Sequence, residues 1–232
     1  MYAKFWKRFF DFTLSLLALI VLSPLLIVLT VIGAIAMRGN PFFTQARPGK
    51  IDKKTGKEKI FKLIKFRTMS NKKDQNGNLL PDEARLNKYG KFLRSTSLDE
   101  LPSLCNILWG SAGLVGPRPF LVRDCVFLTD EQRRRHTVRP GLTGLAQVNG
   151  RNNITWEQKF EYDLQYIDRG ITFKGDLMII LKTVAKVLKR SDVVREGTVS
   201  DMDYGDWLMM EGKVDQATYD EKQEEARELL NA

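Results

Sequence analysis

Histidine and cysteine are almost missing from this 232-residue chain, which holds one histidine, His136, and two cysteines, Cys105 and Cys125. That scarcity excludes a disulfide framework, and the spacing matches no all-protein zinc site. A reducing compartment is the default. Charge is also missing from one long stretch: no acidic or basic residue stands between Phe12 and Met37, 26 residues rich in Leu, Ile and Val. At about 1.5 Å per residue such a run is long enough for a hydrocarbon core of about 30 Å. The run is longer than the apolar region of a signal peptide, which argues against a cleaved one.

What is present is unevenly distributed. The last 37 residues, Glu196 to Ala232, carry 11 acids and 3 bases, leaving 34 bases against 17 acids in residues 1–195. A body of +17 calls for an anionic partner: nucleic acid, a phospholipid surface or a phosphorylated substrate. Three segments follow, an apolar segment at 1–37, a body at 38–195 and an acidic tail at 196–232. The tail's Glu-rich stretch from about Asp215 to Leu230 reads as a short helix, a solvated or oligomer-forming appendage without visible chemistry.

Ser23 and Pro24 stand at the midpoint of the apolar run, where proline removes a backbone donor and bends a helix. Ser23 is placed to satisfy a carbonyl that the break frees. Lys4, Lys7 and Arg8 precede the run and Arg38, Arg47 and Lys50 follow it. Basic flanks on both sides give no orientation and suit two ends on one side of a membrane. A re-entrant helical hairpin satisfies both observations, and a kinked spanning helix satisfies the length.

In the body, strands are expected near Phe42 to Gln45 and over Ile60 to Met69, which would put Lys65 and Arg67 on one face. Residues 71–81 read as a loop. Helices are expected at about 82–94, 99–109, 129–137 and 155–168. Over Asp176 to Arg190, Lys182, Lys186, Lys189 and Arg190 recur at helical spacing among apolar residues. Such a basic amphipathic helix either lies on an anionic membrane or packs its apolar side into the core. The fold class is mixed α/β, mainly helical with a small sheet.

Three clusters offer chemistry. In Thr96-Ser-Leu-Asp-Glu-Leu-Pro102, Asp99 and Glu100 adjoin at a helix start. Ser97 and Glu100 have the spacing of a capping box, which would make the pair structural. Backbone donors at a helix start would also keep Asp99 ionised, as a nucleophilic or metal-binding carboxylate must be. Gly116-Pro117-Arg118-Pro119 stiffens the chain around one arginine, a sound clamp for phosphate or simply a rigid turn. Residues 139–152 space glycines among amides and two arginines, so that Gln147, Asn149 and Asn152 are placed to read a base or sugar.

The order of these segments, with Lys-Phe-Arg-Thr-Met at 65–69, SLDELP at 97–102, LVGPRP at 114–119 and RPGLTGLAQVNGRN at 139–152, resembles the bacterial monotopic phosphoglycosyl transferases over residues 2–195. Among them, the small enzymes that start protein N-glycosylation with diacetylbacillosamine phosphate look closest. The resemblance implies a re-entrant anchor, a catalytic domain on the cytoplasmic face of the bacterial inner membrane, and transfer of a sugar 1-phosphate from a UDP-sugar to polyprenyl phosphate. It implies Asp99 as nucleophile and Mg²⁺ ligand, Glu100 as its partner, and Arg94, Arg118 and Arg151 on phosphate, with Lys65 and Gln147 beside them. Nucleic acid is then not a partner. Two departures stand out: Ser111, Ala112 and Gly113 replace an acidic residue, Met and Ser, and Ser103 replaces Gln. A membrane-tethered nucleic-acid-binding protein and a scaffold with a recruiting tail are the readings from other classes. The first predicts indifference to loss of Asp99, the second dependence on residues 196–232.

Overall fold

The computed structural model describes residues 1–150, 153–189 and 202–231. The apolar run forms one helix, α1 (Trp6–Met37), with Pro24 inside it. The expected break does not interrupt the helix. Proline at 24 leaves the Ile20 carbonyl without its usual donor four residues on, and the Ser23 hydroxyl donates to that carbonyl at 2.8 Å. The two halves of α1 then rest on different parts of one body.

That body begins with an antiparallel hairpin, β1 (Phe42–Ile51) and β2 (Glu58–Phe66), in which Phe43 faces Lys65. Arg67 lies one residue beyond the strand, its N–H donating to the Pro41 carbonyl at 2.7 Å. The helix expected over 82–94 is two, α2 (Asp82–Arg85) and α3 (Lys88–Thr96), because Leu86 is extended and Asn87 caps a fresh start by accepting from the Gly90 N–H. Likewise 99–109 divides into a 3₁₀ turn, Leu98–Ser103, and α4 (Leu104–Trp109). After β3 (Gly113–Val115) come α5 (Val122–Cys125), α6 (Asp130–Arg133) with a 3₁₀ turn at Arg134–Thr137, β4 (Gly141–Thr143), α7 (Leu145–Asn149), α8 (Trp156–Asp168) and α9 (Phe173–Lys189). The chain is mainly helical with two small sheets.

β3 and β4 pair in parallel. A Cβ at Gly116, Gly141 or Gly144 would overlap backbone across this junction. These glycines therefore serve the approach of two chain segments to each other, not the approach of backbone to a ligand.

The N-terminal half of α1 is pinned by Arg8, whose guanidinium donates to the Leu108 carbonyl at 2.7 Å, and by Lys7, paired with Asp176 of α9 at 2.8 Å. Ala18 and Leu19 pack on Leu104, Ile107 and Ala112. In the C-terminal half, Leu26 and Leu29 join Phe66 and Leu93, the Tyr89 hydroxyl donates to the Leu29 carbonyl, and Asn87 donates to the Ala36 carbonyl. A helix crossing a bilayer perpendicular to the body would carry one half away at about 1.5 Å per residue. Here contacts run from Lys7 to Ala36. The outer face of α1, including Ile20, Val21, Ile27, Val28 and Ile35, remains exposed, and α9 likewise exposes Leu177, Leu181, Val184 and Leu188 while burying Ile179. The apolar side of α9 thus faces outward, and both helices offer a membrane surface.

The acidic tail does not stand off in solvent. Its helices α10 (Tyr204–Met210) and α11 (Gln216–Asn231) close the body, with Tyr204 and Leu208 buried against Phe120 and Phe160. The Asp124 carboxylate accepts the Tyr204 N–H at 2.8 Å, and Arg123 donates to Asp206 and to the Tyr219 hydroxyl.

Because both ends of α1 touch the same body, cysteines introduced at Lys4 and Arg38, with Cys105 and Cys125 replaced by serine, are expected to react with an impermeant maleimide from one side of sealed vesicles. Labelling from opposite sides would establish a crossing.

Candidate active site

The carboxylate pair sits where α3 ends. Ser97 takes a left-handed conformation (φ 55°) between α3 and the 3₁₀ turn, and its side chain caps neither element. The capping box is therefore not formed. Glu100 turns instead to two cations: its Oε1 accepts from Lys65 Nζ and from Arg118 Nη2, each at 2.7 Å. The turn is fastened along β2 by neighbours on the same segment. Ser103 Oγ donates to the Ile64 carbonyl at 2.7 Å, and the Asn106 side chain accepts from the Ile64 N–H and donates to the Lys62 carbonyl. These bonds bring Lys65 under Glu100. Ser103, at a position where the resemblance leads one to expect glutamine, is one of the fasteners.

The electrostatics separate the two acids. Burial works against the Glu100 carboxylate, but Arg118 and Lys65 override it and hold Glu100 well below the ordinary range. Burial and the adjacent Glu100 charge push Asp99 up, opposed by Lys65, Arg118 and Arg94. What draws Asp99 toward its ionised form is thus this ring of cations; the backbone donors of a helix start, expected from the sequence, are not needed. Arg94 is held in place by Thr68 Oγ1 at 3.1 Å and Met69 Sδ at 3.4 Å, both from the Lys-Phe-Arg-Thr-Met segment.

The Gly116-Pro-Arg-Pro119 loop is set from beneath by a buried ion pair. Arg135 pairs with Asp163 at 2.6 Å, both almost wholly inaccessible, lies 3.6 Å from the centre of the Phe120 ring and donates to the Arg118 carbonyl at 2.6 Å. Arg135 fixes the backbone of the arginine that binds Glu100. The departure at Ser111 to Gly113 is structurally absorbed. Ser111 Oγ donates to the Asn106 carbonyl, Ala112 is buried on α4, and Leu114 N–H donates to Asp11 of α1 at 3.1 Å, beside a Gly113 whose absent Cβ leaves room for that carboxylate.

One residue of the site escaped the sequence reading. Arg47 on β1 is half-buried against Pro119, donating to its carbonyl at 3.1 Å, and desolvation together with Arg118 lowers its guanidinium to about 10. Its Nε has no partner. In the sequence it is one basic residue among many after the apolar run; only its alternation with Gln45, to which it donates at 2.6 Å, hints at a shared face. Lys65, Glu100, Arg118 and Arg47 line one cleft. Gln147 on α7 lies apart from the carboxylates, with both amide atoms buried and without partners. Asn149 donates to the Leu145 carbonyl and is exposed. Arg151 and Asn152 lie outside the described residues.

Among the described residues no group of three or more His, Cys, Asp or Glu gathers as a metal cage. With Glu100 committed to two cations, Asp99 is the carboxylate left to a metal. That donor set fits Mg²⁺, which keeps water and takes one or two carboxylates plus substrate phosphates.

A family model described as bacterial sugar transferase matches residues 2–190. The chain belongs to that family. It is 48% identical over 184 residues to the "Uncharacterized sugar transferase EpsL" of Bacillus subtilis (strain 168), covering 78% of this chain and 87% of the relative. It is 40% identical over 196 residues to the UDP-glucose:undecaprenyl-phosphate glucose-1-phosphate transferase of Klebsiella pneumoniae, 78% of this chain and 40% of the relative. It is 33% identical over 206 residues to the undecaprenyl-phosphate galactose phosphotransferase of Salmonella typhimurium (strain LT2), 81% of this chain and 41% of the relative. This sugar transferase chain spans most of EpsL and about two fifths of the other two. The names of the latter carry glucose and galactose, and nothing in these matches speaks for diacetylbacillosamine.

Truncating Arg135 to Ala would leave Asp163 as a buried unpaired charge, so the variant is expected to lose about 3–5 kcal/mol of stability in denaturant unfolding in detergent. The Arg135→Met, Asp163→Leu double variant should recover a large part of that loss.

Proposed function

We propose that this family member moves a sugar 1-phosphate from a UDP-sugar to polyprenyl (undecaprenyl) phosphate through a covalent intermediate on Asp99, releasing UMP. The observation that carries the reading is the division of labour in the dyad: Glu100 is bound through one oxygen by Lys65 and Arg118, and Asp99 is left beside the same cations. The Asp99 carboxylate attacks the β-phosphorus of the donor, the bond from that phosphorus to the bridging oxygen breaks, and UMP leaves with the electron pair. A phosphate oxygen of the acceptor then attacks the same phosphorus, and the Asp99 carboxylate is expelled to give the polyprenyl-diphospho-sugar. Arg94 and Arg118 present guanidinium donors to the phosphoryl oxygens, and Lys65 holds Glu100 so that its charge does not displace the donor. When bound, Mg²⁺ supplies neutralisation of the diphosphate charge, and Asp99 is the side chain here that can hold it.

The membrane reading supports the acceptor. The exposed faces of α1 and α9 seat the body on one leaflet, so that a lipid-borne phosphate and a soluble nucleotide meet at headgroup level. Basic flanks at both ends of α1, and a nucleotide donor made in the cytosol, favour a re-entrant anchor on the cytoplasmic face of the inner membrane.

Purified protein given UDP-hexoses, Mg²⁺ and undecaprenyl phosphate is expected to release UMP, and Asp99→Asn to lower the rate by on the order of 10⁴-fold or more, as loss of a nucleophile does. Release that survives in Asp99→Asn would remove the nucleophile from the account. The pH profile is a separate test. Asp99 must be ionised to attack, and burial raises it, so the acid limb of UMP release should lie above the ordinary aspartate value of about 3.9. Glu100→Gln removes the neighbouring negative charge and should shift that limb to lower pH; an upward shift would contradict the assignment.

A further inference from the structure

A second cleft adjoins the first across Arg47, Arg118 and Pro119. Its far side is built from Gln147 on α7, Trp156 on α8, and Met202 and Asp203 at the head of α10. Gln147 presents there an amide whose oxygen and nitrogen are both buried and both unpartnered. A folded chain seldom leaves a donor and an acceptor buried and idle together, and such a group discriminates strongly once a ligand pairs with it. Asp203 adds a carboxylate, anchored through one oxygen to Arg123 at 3.3 Å. Trp156 adds an aromatic surface.

This set suits one class of ligand. A polyhydroxylated ring offers hydroxyls that donate to the Asp203 carboxylate, hydroxyls that both donate to and accept from the Gln147 amide, and an apolar C–H face for Trp156. The edge of a uracil offers two carbonyl acceptors around a single N–H, so it brings one donor at most to the Asp203 carboxylate. Arg118 lines this cleft and donates to Glu100, so a phosphate on a ring placed here would be carried toward the dyad side of Arg118. Asp203 lies beyond residues 2–190, the part matched by the family model.

We propose that this cleft is the subsite for the hexose of the donor, that Gln147 and Asp203 bind its hydroxyls, and that the C-terminal segment thereby helps choose the sugar. The proposal rests on the transferase reading above. Its test uses the full-length protein in detergent with UDP-glucose, UDP-galactose and UDP-N-acetylglucosamine, reading the KM of each donor that is turned over, the inhibition constant of UMP, and the melting temperature. UMP lacks the hexose. Gln147→Leu should raise the donor KM about tenfold, the loss of a well-placed hydrogen bond or two, while the UMP constant stays within about twofold. The same variant should melt no lower than wild type, because it removes an idle buried amide. Asp203→Asn should raise the donor KM and alter the ranking of the three sugars. Equal rises in donor KM and UMP constant would assign the cleft to the nucleoside and overturn the proposal. So would an unchanged KM in both variants. If the wild type releases UMP from no donor, the transferase reading itself fails and takes this proposal with it.

Discussion

Everything at the candidate site depends on one shared oxygen. Glu100 Oε1 accepts from Lys65 and from Arg118, residues 35 positions before it and 18 after it, and so ties β2 and the Gly-Pro-Arg-Pro loop to the 3₁₀ turn. A charge-assisted contact of this kind is strong when solvent is excluded, and it fixes which of two neighbouring acids is a structural partner and which is available. The supports beneath it follow the same logic. Arg135 holds the Arg118 backbone, and Ser103 and Asn106 hold the turn to β2. Preorganisation here lies in backbone positions set by buried polar pairs, with the long side chains of Lys65 and Arg118 meeting where those positions require.

The membrane side of the molecule obeys a second constraint. An apolar helix of 32 residues exceeds what a bilayer needs, yet α1 spends one stripe on the body along its whole length and leaves the other to lipid. Lys7 and Asp176 join its start to α9, so the two lipid-facing helices are fixed relative to each other and to the carboxylates.

Much of this was legible in the sequence, where the signals were local. The charge-free run, Ser23 with Pro24, the order of the motifs and the amphipathic helix ending near residue 190 are all visible from neighbouring residues, and Ser23 does satisfy the carbonyl that Pro24 frees. The losses came where a distant partner outcompeted a near one. The Ser97 to Glu100 spacing suggests a capping box, but two cations from elsewhere in the chain claim the carboxylate. The glycines of residues 139–152 suggest a ligand cradle, but Gly116 lies across from them. The tail reads as solvated by its charge, whereas Tyr204 and Leu208 fill an aromatic cluster and Asp124 receives the backbone that leads into it. Arg47 gave no local signal beyond its alternation with Gln45.

The central claim is that Asp99 is the nucleophile set free by Glu100's commitment to Lys65 and Arg118. Its most direct test is peptide mapping by mass spectrometry after the protein meets a UDP-sugar and Mg²⁺ with no lipid acceptor, quenched in acid. The account predicts a sugar-phosphate adduct on the peptide that contains Asp99, lost on addition of undecaprenyl phosphate. An adduct on any other residue, or steady UMP release with no adduct on that peptide, would contradict it.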